Sequence, residues 1–194
     1  MTEHNTSKEG SMSEVEKLVR EQIKQAGVDS LLVDELTPND LNDIDWSGGP
    51  SHPKSVAKAL QKVPSGAMEY LAVRSPNGKP IAKGGIDYTY KPGTGYMTQL
   101  ATMEELRGLG IGTHLIRAME ERILQRGLTK ASLGVEDDNP DAQRLYERIG
   151  YKIVDKLVDS WEEEDEQGNM STHHATGVIM EKDLVTVTDD PTVS

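Results

Sequence analysis

The chain has 194 residues, which suits one domain with a sizeable core and leaves too little for two. Its 33 acidic against 21 basic residues give a formal charge of −12, which repels nucleic acid and anionic membrane and draws cationic substrates at long range. With no cysteine there is no disulfide, no thiolate nucleophile and no Cys-type zinc site; with no apolar run near the length of a membrane span, the reading is of a soluble, cytoplasmic protein.

Residues 1–12 are polar and read as a mobile tail ahead of a single domain over residues 13–184. Ser13-Glu14-Val15-Glu16 has the form of a capping box, and Val15, Leu18, Val19, Ile23 and Ala26 make one apolar stripe ending at Gly27. An amphipathic helix is predicted there. Ser30 to Leu36 reads as a strand, and Thr37-Pro38 supplies an N-cap and a first-turn proline for a helix over Asn39 to Ile44. Trp46-Ser47-Gly48-Gly49-Pro50 breaks that helix. The next is predicted from Pro53 to Val63, with Val56, Ala59, Leu60 and Val63 on one face. Glu69 to Ser75 and Pro80 to Tyr90 are strand-like runs joined by Pro76-Asn77-Gly78-Lys79, where Asn-Gly points to a two-residue hairpin turn.

After a loop over Lys91 to Gly95, the strand Tyr96 to Thr102 leads into Leu100–Thr113, LATMEELRGLGIGT. Gly108, Gly110 and Gly112 lack a Cβ and let a ligand approach the main chain. Thr113 to Gln125 carries Leu115, Ile116, Met119 and Ile123 at helical spacing, so the turn sits at a helix N-terminus, with its unpaired N–H donors and positive dipole end. Such an end binds anions. Arg107 fits the same reading, because a cation beside a helix N-terminus is disfavoured by about 0.3–1 kcal/mol unless something negative sits there. The spacing is neither the Rossmann G-x-G-x-x-G nor a P-loop.

Lys130 to Val135 reads as a strand followed by the acidic turn Glu136-Asp137-Asp138. Asn139-Pro140 pairs an N-cap with a first-turn proline, and Ala142, Leu145, Tyr146 and Ile149 line one face of a helix closed by Gly150. Tyr151 to Glu162 fits either period, and its β-branched and aromatic content favours a strand. An acidic hairpin turn over Glu163 to Asn169 returns it to a partner strand, Ser171 to Met180, and Val185 to Ser194 reads as a disordered tail.

Two of these stretches carry a family resemblance. Arg107-Gly108-Leu109-Gly110-Ile111-Gly112 matches R/Q-x-x-G-x-G/A, and Asn139 to Tyr151 matches N-P-x-A-x-x-L-Y-x-x-x-G-F/Y. In that order they resemble the GNAT superfamily of acyl-CoA-dependent N-acetyltransferases, over roughly Leu31 to Leu184. The resemblance implies a mixed α/β fold: a twisted, mostly antiparallel sheet of six to seven strands, splayed between the fourth and fifth and flanked by helices. It implies acetyl-CoA as acyl-donor cosubstrate, no metal, and an amine acceptor. Main-chain groups of Leu100, Ala101 and Thr102 would hold the pantetheine arm. Arg107 marks the start of the pyrophosphate turn, and Gly108, Leu109, Gly110, Ile111, Gly112 and Thr113 would supply its N–H groups. Asn139 would contact the cofactor, and Tyr146 would protonate the departing thiolate.

Direct attack needs a neutral amine, which at pH 7 costs a lysine about 4–5 kcal/mol and an α-amine about 1. The fourth strand holds no acidic residue or His, so the base assignment falls on Glu136, with Asp137 next. His173 or His174 could point at the site. Candidate acceptor walls are Trp46 to Pro50, Tyr88 or Tyr90, and Trp161, and the last hairpin could pair two subunits. A polyamine-like molecule, an amino-sugar antibiotic and a protein amine all suit the acidic surface as acceptors. The alternative is a non-catalytic acyl-CoA-binding or sensing module.

Overall fold

The hydroxyl of Ser13 accepts the Glu16 N–H while the Glu16 carboxylate accepts the Ser13 N–H, and this reciprocal cap opens α1 (Glu14–Ala26). The structure, a computed structural model, describes residues 12–49, 51–164 and 170–184. Residues 1–11 of the predicted N-terminal tail, the predicted C-terminal tail, Pro50 and most of the last hairpin turn lie outside the described residues. The apolar stripe of α1 is narrower than the sequence suggests. Val19 and Ile23 are buried, whereas Val15 and Leu18 are exposed, because the helix docks on the turn ahead of the third helix rather than across a sheet face.

A 3-10 turn over Val28–Ser30 shortens the predicted first strand to β1 (Val33–Glu35). The segment after Thr37 is also 3-10 rather than α, over Pro38–Asp43, with Asp40 capping Thr37 and ion-paired to Arg74. A second 3-10 turn, Asp45–Ser47, leads to α2 (His52–Leu60). β2 (Met68–Arg74) and β3 (Pro80–Asp87) follow as a hairpin. Its loop has three residues, not two. Ser75 N–H bonds to Lys79 O and Gly78 N–H to Ser75 O, with Gly78 at φ 84°, so proline at the first loop position sets a type I turn closed by a left-handed glycine.

The chain continues through β4 (Gly95–Thr102), α3 (Ile111–Gln125), β5 (Lys130–Glu136) and α4 (Pro140–Arg148), and ends in the long hairpin β6 (Lys152–Glu164) and β7 (Met170–Asp183). The seven strands form one sheet in the order β1-β2-β3-β4-β5-β7-β6, antiparallel at every step except β4 to β5. Strand alternation sends Leu71 and Val73 into the core under α3, and Tyr70 and Ala72 into a second cluster with Val56 and Leu60 of α2. Covered on both faces, β2 and β3 are buried almost throughout.

Two irregularities open the centre of the sheet. β4 and β5 pair only over Gly95–Met97 and Ala131–Leu133, then diverge. Between β3 and β4 the register shifts, Lys83 facing Ala101 while Gly85 faces Thr98, so Gln99 and Leu100 together oppose Gly84. This is a β-bulge beside the gap.

Candidate active site

Where β4 and β5 part, a cleft of about 330 Å³ opens, lined by Tyr96, Thr98, Gln99 and Leu100 on one side and Gly134, Glu136, Asp138, Asn139, Ala142 and Tyr146 on the other. Leu157 of β6 completes the wall. A larger hollow of about 660 Å³, bounded by Asp29, His114 and Arg117, lies between β1 and α3 and contains none of the motif residues.

The glycine turn stands beyond the end of β4. Gly108 and Gly110 have φ of 80° and 86°, and Gly110 is the N-cap of the 15-residue α3. The left-handed region costs an ordinary L-residue about 1–2 kcal/mol, so these two positions select glycine. The first helical bond runs from His114 N–H to Gly110 O, which leaves the N–H groups of Ile111, Gly112 and Thr113 ahead of the ladder at the positive end of the helix. Arg107 is exposed, and its Nε donates to Thr102 O at 3.3 Å, tying the turn to the end of β4. From behind, Arg20 of α1 donates to Glu105 O and Arg107 O.

Asn139 caps α4, its side-chain oxygen accepting from Ala142 N–H at 3.2 Å. One helical turn further, Tyr146 is 8% exposed and meets Tyr151 edge to face at 6.1 Å. Burial pushes the Tyr146 phenol up to about 12, so it is a proton donor throughout the neutral range. Glu136 is exposed at the lip of the cleft. Asp137 points elsewhere, accepting from the Thr176 hydroxyl at 2.7 Å.

The proposed walls fare unevenly. Tyr90 stacks at 3.9 Å on Tyr96, which lines the cleft. Trp46 donates its indole N–H to Asp43 O and packs on the α2 cluster, and Tyr88 bonds to Glu69 under the Arg126 guanidinium; neither reaches the cleft. Trp161 stands opposite His173 in the β6–β7 ladder, and the side chains of both lie outside the described residues. His174 is exposed.

A polar network that the sequence reading missed lies under the bulge. Gln99 sits at φ 53°, a non-glycine residue in the left-handed region. Its side chain accepts from Tyr70 Oη at 3.0 Å and donates to Ser55 Oγ at 2.8 Å, while its main-chain oxygen accepts from Lys83 Nζ at 2.9 Å. His52 Nε2 lies 2.6 Å from the same amine. Burial lowers Lys83 to about 7, and burial, then the nearby Lys83 charge, lowers His52 to about 4. Burial also raises the Tyr70 phenol. The one signal in the sequence was a lysine inside the apolar run Pro80–Ile86.

The acetyltransferase (GNAT) family model matches residues 39–151. A mycothiol acetyltransferase from Corynebacterium aurimucosum is 35% identical over 65 residues, which cover 34% of this chain and 21% of that protein. Among solved structures, a spermidine/spermine N-acetyltransferase from Vibrio cholerae has a TM-score of 0.61 at 21% identity, over 80% of this chain and 94% of that one. A PaiA N-acetyltransferase from Thermoplasma acidophilum, solved with coenzyme A, has a TM-score of 0.57 at 15% identity, over 79% of this chain and 99% of that one. At these identities the likeness is one of fold.

Proposed function

Because the chain belongs to the acetyltransferase (GNAT) family, we propose that it moves an acetyl group from acetyl-CoA to a primary amine by direct attack, without an acyl-enzyme. The observation that carries this reading is the cleft between β4 and β5, with Tyr146 in its wall and the free N–H groups of α3 beyond its end. Those donors suit a pyrophosphate, and the chemistry asks for no charged side chain there. In this reading Leu100, Ala101 and Thr102 hold the pantetheine arm through main-chain groups, and Asn139 contacts the cofactor from the opposite lip. A main-chain N–H of the bulge polarises the thioester carbonyl.

Glu136, at the lip, takes a proton from the incoming ammonium through a water. Tyr146 gives its proton to sulfur as the C–S bond breaks. With the phenol near 12 and a thiol near 8.5, full transfer in advance would be uphill by about 5 kcal/mol, so the proton moves together with bond cleavage. The newly bonded nitrogen sheds its second proton to solvent as the amide forms, and the phenol recovers its proton from solvent.

The formal charge of −12 and the spermidine/spermine activity named for a structural neighbour support a cationic acceptor. Thiol release from acetyl-CoA, measured over spermidine, an aminoglycoside, a lysine peptide and a peptide with a free α-amine, tests this. Saturable turnover of one of them is expected. Saturable acetyl-CoA binding with no turnover on any amine would overturn the catalytic reading and leave a binding module.

A further inference from the structure

The reaction as described makes no use of the most expensive residue in the sheet. Lys83 is 0% exposed in the middle of β3, and among the described residues its amine meets neutral groups from three other elements: His52 from α2, Tyr70 from β2 and the main-chain oxygen of Gln99 from β4. An aliphatic side chain would fill this position at lower cost, since a buried amine gives up its hydration. What the lysine adds is a hold on one peptide plane.

In a trans peptide the C=O of one residue and the N–H of the next lie in one plane and point in opposite directions. The Gln99 carbonyl points to the Lys83 amine, which lies on the α2 face of the sheet, so the Leu100 N–H points the opposite way, and both residues line the cleft where β4 leaves β5. The bulge depends on such a hold. Gln99 at φ 53° is not in a conformation that an L-residue keeps unaided. β3 is also cleared for it: a Cβ on Gly84 would meet Leu100 Cδ2 at 2.6 Å.

We propose that Lys83 is a positioning residue for acyl transfer: by holding the Gln99 carbonyl it fixes the β4 bulge so that the Leu100 N–H stays aimed at the thioester carbonyl oxygen. This rests on the acetyl-transfer reading above. Lys83 touches neither substrate nor cofactor and acts through the backbone of its neighbour. His52 and Tyr70 hold the amine in place, and the Gln99 side chain, clamped by Tyr70 and Ser55, secures the other end of the same bulge.

The test is the infrared carbonyl stretch of carbonyl-13C acetyl-CoA bound to the full chain, which reports hydrogen bonding to the thioester oxygen without needing an acceptor. In the unmodified protein the band falls below its position in free acetyl-CoA. In Lys83→Met at least half of that downshift is lost, desacetyl-CoA affinity stays within about twofold, and turnover on any amine found active falls about tenfold or more, on the scale of a misaligned oxyanion donor. Tyr70→Phe removes one hold on the amine and one on the Gln99 side chain but keeps the Lys83–Gln99 bond, so it loses less of the downshift than Lys83→Met. Should Lys83→Met fail to fold, Lys83→Met/His52→Leu removes the imidazole that loses its partner and carries the same comparison against His52→Leu, which keeps the Lys83–Gln99 bond. An unchanged stretch in the lysine variant, or a loss of CoA affinity equal to the loss of turnover, overturns the positioning role alone. Failure of the unmodified chain to bind acetyl-CoA overturns the acetyl-transfer reading as well.

Discussion

The Arg20 guanidinium lies 3.2 Å from the main-chain oxygen of Arg107, and also 2.7 Å from that of Glu105, so α1 grips the main chain that leads into the glycine turn. These charge-assisted bonds occupy carbonyls just ahead of the N–H groups that open α3. The helix that lies outside the family motifs therefore helps to shape the glycine turn.

Replacing this grip should loosen the turn without touching the ligand. Arg20→Met is expected to weaken CoA binding about three- to tenfold and to cost about 1 kcal/mol of stability, a partly exposed version of a hydrogen bond to a charged group. Titration calorimetry with CoA reads the first and a thermal melt the second. Unchanged CoA affinity would mean that the turn keeps its shape unaided.

Gly110→Ala separates backbone conformation from steric fit. An added Cβ would meet only Val28 Cγ1, at 3.8 Å, so space is available, yet φ stays at 86°. The expected cost is about 1–2 kcal/mol from the left-handed region alone, together with weaker CoA binding as the turn relaxes. A melt as high as that of the unmodified protein would show that the N-cap tolerates another conformation.

Tyr146→Phe should lower kcat by about 10- to 100-fold, the usual scale of general-acid loss, with KM for acetyl-CoA held within about threefold. Because burial holds the phenol up to about 12, its ionisation should leave no basic limb in the unmodified enzyme below a pH of about 11. Full single-turnover rates in the phenylalanine variant would remove Tyr146 from the chemistry.

Stability should rise with pH above neutrality on account of Lys83. In the unfolded chain its amine titrates near 10.4, and in the folded protein burial brings it to about 7, so between those values the unfolded state binds more protons. The gain across that window is on the order of a few kcal/mol. His52, lowered to about 4, adds a loss of stability as pH falls from about 6.5. Urea unfolding at pH 7, 8.5 and 10 should show the rise, and Lys83→Met should flatten it. Equal slopes in the two proteins would mean that the amine keeps its proton when buried.

The helix starts and the glycine turn were legible in the chain because their signals are local. A capping box, an Asn-Pro start and alternating glycines each act within a few residues; Ser13 and Asn139 occupy the caps expected of them, while α3 opens two residues earlier than its periodicity suggests, with Gly110 as its cap. The misjudged details have local causes as well. Pro76 turned a two-residue hairpin into a three-residue one, and the segment after Thr37 tightened to 3-10 as Asp40 turned to pair with Arg74 of β2. Packing and ring contacts place Trp46 and Tyr88 away from the cleft between β4 and β5, at sites that composition does not distinguish from it.

By itself the sequence determined the order of strands and helices, the glycine turn at the head of α3 and the helix that carries Tyr146, because helical periodicity, caps and backbone freedom are properties of neighbouring residues. Only the tertiary structure decided where β4 leaves β5 and which groups hold the strand in that shape. His52, Tyr70, Lys83 and Gln99 come from four separate elements, and no spacing along the chain encodes their meeting. Sheet register and the packing of α2 bring them together, and burial then gives the lysine a chemistry it lacks in the extended chain.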